Sequence, residues 1–294
     1  MNKFIQKLKK LIFYMICLYQ LPAWGQMNYS NTIAEYFHNQ YLWNPALAGS
    51  KQAQLYGLFD NVWLGFDGSS KFVEFSFDMP FTEKMGAGII LNSFSSGLFD
   101  QYRGALSYAY QISWDDNKKI RLGGNLSFYK AHLNVKDLSN NAQIDPVITE
   151  FNNKGMQLDG DLGAYLQFNA FSIGLSGYNL SNYFKKSEQQ ESDWEMSQVQ
   201  LSYYFPIQEN KFSLQPLIGY QMFHTTKNIL ITAMQFTYQN VFNTSLYWKS
   251  TGCIMGGLGL ILNSNLEINI FYSSKNKYGY QEQYEAGIKY MLNP

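Results

Sequence analysis

The chain has 294 residues, of which 17% are aromatic and only 15% are charged, and its 22 basic residues balance 22 acidic ones. This charged fraction lies well below the roughly 25% of average soluble proteins, and a chain without excess positive charge is a poor partner for nucleic acid. After the first 30 residues, no window holds the about 18 consecutive apolar residues of a membrane-spanning helix, so any crossing of a membrane must use strands.

The first 25 residues have the pattern of a secretion signal. Four lysines and no acidic residue come first, an apolar stretch follows, and Ala23-Trp24-Gly25 fits a small-x-small cleavage site. We therefore predict that residues 1–25 are removed, which leaves 18 basic against 22 acidic residues. The mature chain keeps one cysteine, Cys253, so an internal disulfide is excluded.

The next segment, residues 26–50, ends in YLWNPALAGS. Pro45 restricts the residue before it to extended or turn backbone, and the small residues after it permit close approach of other backbone. The pattern indicates a shaped turn that leads into the first strand, and a binding role for the segment stays open beside this structural one.

Strict alternation of apolar and polar residues begins after this turn. In YRGALSYAYQISW (102–114), Leu106 and Tyr108 share one face, while Arg103 and Ser107 share the other. The pattern recurs in seven further segments, and six others are compatible with it though less regular. Together they predict about 14 antiparallel strands of a length that crosses a bilayer at a tilt. The predicted strands are 52–63, 70–79, 85–94, 102–114, 120–130, 157–168, 171–180, 197–206, 211–222, 228–238, 241–250, 252–262, 265–273 and 281–292.

The predicted connections alternate in length. Every second one is short, whereas the others include the long segments 133–156 and 181–196. Outer-membrane barrels have short periplasmic turns and longer outer loops. We therefore predict an all-β fold in which an outer-membrane β-barrel with both termini periplasmic spans residues 51–294, and residues 26–50 form a periplasmic segment before it. A soluble β-sandwich also alternates, but its exposed face would carry more Lys and Glu than these polar faces do.

Charged residues are scarce on the polar faces, and those present are expected to face the lumen. There they would plug a small barrel or tune a pore. They are Arg103, Arg121, Asp159, Asp161, Glu267 and Glu285.

Little in the sequence indicates catalysis or metal binding. The three histidines have no Cys or carboxylate beside them at metal-ligand spacing. Ser127, His132 and Asp137 are the one triplet with the residue types of a nucleophile and its base, and such residues are common in any loop. We therefore expect no metal, no cofactor and no enzymatic activity.

The run IAEYFHNQYLWNPALAGS (33–50) resembles the N-terminal signature of the PorP/SprF family of type IX secretion outer-membrane proteins, and the sequence up to residue 112 resembles that family's next block. Two positions depart from the family pattern: Leu47 replaces an aromatic residue, and FDNVW (59–63) replaces Arg-x-x-Trp. The resemblance makes its matching residues candidates for contacts with a partner. They are Tyr36, Asn39, Asn44, Pro45, Ala46, Ala48, Gly49, Trp63, Asp78 and Pro80.

The resemblance implies a non-enzymatic barrel, integral to the outer membrane of a Gram-negative bacterium, that acts in type IX secretion or gliding motility. It implies a partner, namely a secreted surface protein such as an adhesin with a C-terminal secretion domain, which the barrel anchors. We expect the long loops 133–156 and 181–196 to hold that domain and residues 26–50 to face periplasmic components. Two alternatives stay open: a passive diffusion channel for small solutes, and an outer-membrane partner of the periplasmic secretion ring.

Overall fold

The computed structural model describes residues 36–62, 68–115, 117–135, 145–181, 196–208, 211–223, 227–263, 265–275 and 282–292. The predicted signal peptide, Trp63, residues 136–144 of the first long connection and residues 182–195 of the second lie outside these residues.

Within the described ranges, the alternating segments form 15 strands. β8 and β9 pair with the same neighbour, β10, and together make one wall strand, so the wall has 14. The strands are β1 (Gln54–Val62), β2 (Ser70–Pro80), β3 (Met85–Ser96), β4 (Phe99–Asp115), β5 (Lys118–Leu133), β6 (Gln157–Phe168), β7 (Phe171–Tyr178), β8 (Met196–Tyr203), β9 (Phe205–Ile207), β10 (Phe212–Phe223), β11 (Ile229–Tyr238), β12 (Phe242–Lys249), β13 (Ile254–Leu262), β14 (Leu266–Ser273) and β15 (Gln283–Met291).

The sheet closes on itself. Each wall strand pairs antiparallel with its neighbours in the chain, and all nine residues of β1 pair with β15 as well as with β2. Closure satisfies the backbone N–H and C=O groups of what would otherwise be two open edges, which hydrocarbon does not tolerate. The predicted barrel of about 14 antiparallel strands is confirmed.

The apolar face of the wall points outward. In β4, Leu106 and Tyr108 are half exposed, whereas Ser107 and Ala109, which alternate with them, are buried on the lumen side. This arrangement is the reverse of a soluble sandwich, whose apolar face is covered. Exposed aromatic residues lie toward both ends of the outer face, as membrane interfaces favour; they include Tyr102, Tyr272 and Tyr284 at one end and Trp114, Phe168, Tyr203 and Tyr290 at the other.

The two ends of the barrel differ in their connections. At the end where β1 begins, here called the short-turn end, consecutive strands are joined by short turns such as residues 81–84 and 169–170. At the opposite loop end lie the long connections, the first of which contains helix α1 (Pro146–Asn153), a helix that the sequence did not predict. Asn152 of α1 bonds both the N–H and the C=O of Leu133, which fixes the helix to the end of β5.

The described part of the chain contains no helix long and apolar enough to cross a membrane.

A positive charge in the middle of the outer face should destabilise the barrel strongly. Leu258 lies at the centre of β13 and is half exposed, and its strand neighbours include Ile270. We expect Leu258→Lys to cost about 2–4 kcal/mol, and Leu262→Lys, at the end of the same face, about 0–1 kcal/mol. Equilibrium unfolding in lipid vesicles measures both values, and equal costs would show that β13 is not centred in the bilayer.

Candidate functional site

Residues 36–50 form a plug inside the barrel. All but three of these residues are buried. The plug contains two short 3-10 turns, Gln40–Trp43 and Pro45–Leu47, before the chain enters β1. Residues 36–50 are the described part of the predicted segment 26–50, and they lie inside the lumen.

Two asparagines start the two turns. The Oδ1 atom of Asn39 accepts from the N–H of Tyr41 at 3.2 Å, and that of Asn44 accepts from the N–H of Ala46 at 3.0 Å. Pro45 occupies the first helical position, where its missing N–H has no cost and its φ already suits the turn. The turns therefore follow from local sequence, since Asn is a preferred N-cap residue.

The same asparagines also bind the wall. Asn39 donates through Nδ2 to the Ser76 hydroxyl of β2 at 3.0 Å. Asn44 donates through Nδ2 to the carbonyl oxygens of Ala164 at 2.9 Å and Leu175 at 3.1 Å, on the paired strands β6 and β7. Each side chain thus accepts from the turn with its oxygen and donates to the wall with its nitrogen. Asn44 donates twice, which a serine hydroxyl with its single proton cannot do.

Arg121 of β5 holds the second turn of the plug. Its guanidinium donates from Nε to the carbonyl oxygen of Ala46 and from Nη2 to that of Ala48, both at 2.7 Å. A third donor, Nη1, reaches Oε1 of Gln111 at 2.9 Å. This buried side chain satisfies carbonyls that the short turn leaves without partners.

Asp78 of β2 fixes the point where the plug leaves the lumen. Its two carboxylate oxygens accept from the N–H of Gly49 at 2.8 Å and from Nε2 of Gln54 at 2.9 Å. Gly49 has φ +59°, and a Cβ there would lie 2.3 Å from the Met79 carbonyl oxygen. Glycine is therefore required at this position for both its conformation and its lack of a side chain.

Near the middle of the plug, the carbonyl oxygen of Trp43 accepts three hydrogen bonds from the wall. They come from the hydroxyls of Ser176, at 3.1 Å, and Tyr178 on β7, and from Nε2 of Gln198 on β8 at 2.6 Å. Three donors on one carbonyl hold this part of the plug against two adjacent strands.

Tyr41 contacts the wall at β3 and β4. Its hydroxyl lies 2.5 Å from the hydroxyl of Ser107 on β4. Burial raises the pKa of the Tyr41 phenol well above its usual range, so this group stays protonated.

A buried cluster of three ionisable side chains connects the start of the plug to β14 and β15. Nδ1 of His38 lies 2.5 Å from Oε1 of Glu267, and Lys289 forms an ion pair with the same carboxylate. Lys289 also donates to the carbonyl oxygen of His38 at 3.1 Å. Buried charges are costly unless they are paired, so separating His38 from Glu267 and Lys289 would be unfavourable. The contact therefore holds the plug beside β15, the strand that pairs with β1 to close the barrel.

One side of the lumen is apolar and is covered by aromatic residues of the plug. Tyr36, Phe37 and Trp43 belong to one buried cluster with side chains of β10 to β14. The wall residues of the cluster include Leu217, Ile231, Ala233, Tyr247, Met255 and Phe271. The plug therefore meets a polar wall on one side and an apolar wall on the other.

Glycines at inward positions of the wall make room for the plug. A Cβ at Gly163 would lie 2.1 Å from Oδ1 of Asn44, and one at Gly123 would lie 2.6 Å from the carbonyl oxygen of Pro45. Gly86 and Gly88 of β3 approach the plug as closely. The wall is thus shaped to this segment.

The residues that carry the family resemblance are mostly internal. The predicted candidates from Tyr36 to Gly49 lie in the plug, and Asp78 binds it. Pro80 ends β2 and is exposed, and Trp63 lies outside the described residues. These contacts support the structural role for the segment, while contact of these residues with a separate partner stays a prediction.

All six charged residues predicted for the lumen lie on inward faces, but they have different tasks. Arg121 and Glu267 bind the plug. Arg103 pairs with Asp161 at 2.5 Å, and Asp159 accepts from the N–H and hydroxyl of Ser181. Glu285 is buried on β15.

The sequence did not identify several residues that form the contacts between plug and wall. Lys289, Ser176 and Gln198 look like ordinary inward residues of strands, and His38 looks like an ordinary turn residue. One feature of the sequence does indicate a segment inside the lumen, namely the glycines at inward strand positions. Glycine weakens a strand, so its presence there often marks a place where another backbone approaches closely. Gly123 is one example, since a Cβ there would meet the backbone of Pro45 and Ala46.

The described residues show no catalytic or metal-binding arrangement. They contain no group of three or more His, Cys, Asp or Glu residues that could hold a metal ion. Ser127 faces the lumen, and His132, five residues along the same strand, faces outward. Asp137, the third member of the candidate triplet, lies outside the described residues.

Two solved structures share this architecture. Omp33 of Acinetobacter baumannii, an outer membrane protein, aligns over 82% of this chain and 98% of its own, with a TM-score of 0.53 and 6% identity. The toluene transporter TbuX of Ralstonia pickettii aligns over 86% and 93%, with a TM-score of 0.50 and 10% identity. At such identities the likeness concerns the fold alone.

In sequence, no curated protein matches the chain. The family model described as "Type IX secretion system membrane protein PorP/SprF" matches residues 26–290, nearly all of the chain after the predicted signal peptide. The chain therefore belongs to the PorP/SprF family of type IX secretion system membrane proteins and is an integral β-barrel of the outer membrane.

Proposed function

We propose that this protein is a non-enzymatic, permanently plugged barrel that anchors a secreted surface protein of the type IX system at the cell surface. The observation that carries the proposal is the plug, which is bound to wall strands on all sides of the lumen. A diffusion channel needs a continuous water-filled path, whereas a scaffold needs a rigid wall. The buried plug favours the scaffold.

The proposed orientation places the loop end outside the cell and the short-turn end in the periplasm. The difference between the two ends supports this orientation, since outer-membrane barrels keep short turns on the periplasmic side. In this orientation the connections 133–156 and 181–196 present the binding surface for the C-terminal secretion domain. The chain leaves the plug through Lys51 and Gln52 at the short-turn end, where components of the secretion ring are expected.

Affinity purification tests the anchoring role. Tagged protein is purified from the detergent-solubilised outer membrane of its own host, and co-purifying proteins are identified by mass spectrometry. We expect one large secreted protein in near-equal amount, and its loss when residues 137–150 are deleted from a barrel that still inserts. Full retention by the deletion variant would contradict the role of that loop, and recovery of ring proteins alone would support the ring-partner alternative.

Conductance separates the scaffold from the channel. We expect the purified protein to show no steady openings in planar bilayers, because the plug fills the lumen. Steady single-channel openings of the unmodified protein, together with a purification that recovers no partner, would replace the anchoring proposal by the diffusion channel.

A further inference from the structure

The plug has one covalent link to the wall within the described residues. Between Ser50 and the start of β1 at Gln54 the chain passes through Lys51 and Gln52, which are exposed at the short-turn end. Every other contact between plug and wall described above is non-covalent. The holding of the plug therefore depends on recognition by the wall as well as on the link.

The wall recognises the main chain of the plug. Carbonyl oxygens of His38, Trp43, Ala46 and Ala48 accept from wall side chains, and the N–H of Gly49 donates to one. Proteins bind peptide ligands in the same manner, with main-chain hydrogen bonds for affinity and side-chain pockets for specificity. The donors come from strands far apart in the sequence, so they form a preassembled set only in the closed barrel.

The side chains of the plug supply specificity. Tyr36, Phe37 and Trp43 fill the apolar side of the lumen, as aromatic anchors do at tight interfaces. Asn44 and Pro45 fit where Gly163 has no side chain. Because Asn39 and Asn44 cap the turns from within the segment, part of the bound conformation is already favoured before binding, which lowers the entropic cost of association.

We infer that the lumen is a peptide-binding site and that residues 36–50 are its ligand, held by the wall whether or not they remain covalently joined to it. The ligand class is a short peptide with an Asn-Pro-Ala turn and aromatic residues on its N-terminal side. The inference does not depend on a secreted partner, so it stands or falls separately from the anchoring role.

Cleavage of the link in the folded protein tests this inference. A protease site is inserted between Lys51 and Gln52 of the full-length protein, and the purified barrel is cut in detergent. We expect the N-terminal fragment to co-elute with the barrel and to separate only when the barrel is unfolded. Ser127→Ala, on the same strand as Arg121 and buried without a described plug contact, should retain the fragment equally. Separation of the fragment from a barrel that remains folded would overturn the inference.

Exchange tests the specificity of the site. Cut protein is incubated with a large excess of a fluorescent synthetic peptide of residues 36–50, and bound label is measured after removal of free peptide. We expect uptake of this peptide and at least about tenfold less of the Asn44→Ala peptide, since Asn44 donates to two wall carbonyls. Equal uptake of both peptides, or uptake by uncut protein to the same level, would overturn a specific site.

Discussion

Arg121→Ala is expected to release the second turn of the plug and to convert a closed barrel into one that conducts. The substitution removes the donors to the carbonyl oxygens of Ala46 and Ala48, which are both 2.7 Å from the guanidinium. A hydrogen bond from a charged group contributes about 1.5–3 kcal/mol, so the loss of two weakens the holding of the plug by about 3–6 kcal/mol. Planar-bilayer recording of the purified variant measures the openings directly.

Two further variants control this experiment. Arg121→Lys keeps the charge but loses the planar fork that reaches two carbonyls at once, so we expect intermediate and briefer openings. Ser127→Ala, on the same inward face of β5, should stay closed. If Arg121→Ala stays closed as well, with the same unfolding free energy as the parent, the guanidinium does not hold the plug.

Gly163→Ala is expected to destabilise the barrel strongly, because the added methyl group collides with the plug. The new Cβ would lie 2.1 Å from Oδ1 of Asn44, 2.9 Å from Cδ of Pro45 and 3.0 Å from the N atom of Ala46. Both strand and plug are fixed there by hydrogen bonds, so relief requires the turn to move. Overpacking of this kind costs about 1–3 kcal/mol, and the displaced turn also loses the Asn44 bonds to Ala164 and Leu175.

The matched control is Gly256→Ala on β13, where a Cβ meets nothing within 4 Å. We expect this change to alter the unfolding free energy in lipid vesicles by no more than about 0.5 kcal/mol in either direction. Asn44→Ala in the Gly163→Ala background should recover part of the lost unfolding free energy, because it removes the Oδ1 atom that clashes with the new methyl group. Additive effects of the two substitutions on the unfolding free energy would show that the two side chains are not in contact in the folded protein.

The wall could be predicted from the sequence because its signal is local. A period of two along each strand determines which residues face lipid, and this reading holds from β1 to β15 without knowledge of distant contacts. β4 and β5 exceed their predicted lengths because the pairing continues beyond the apolar band, to partners such as Asp100 and His132. Helix α1 was not predicted because a helix of about two turns inside a long connection leaves little periodic signal.

The plug could be predicted only in its local shape. Asn44 and Pro45 indicate a turn on their own, but the location of that turn depends on side chains from strands throughout the chain. His38 and Glu267, for example, are 229 positions apart. No periodic pattern within a short window links such residues. The burial of the segment in the lumen therefore could not be predicted from local sequence.

The contact between His38 and Lys289 also constrains the order of assembly. The two residues are separated by 251 positions, and Lys289 lies on the last strand of the wall. Folding slows as contacting residues lie further apart in the chain. The contact of His38 with Lys289 can therefore form only once the last strand is in place, so either the wall wraps around the segment or the segment inserts into a barrel that is already closed.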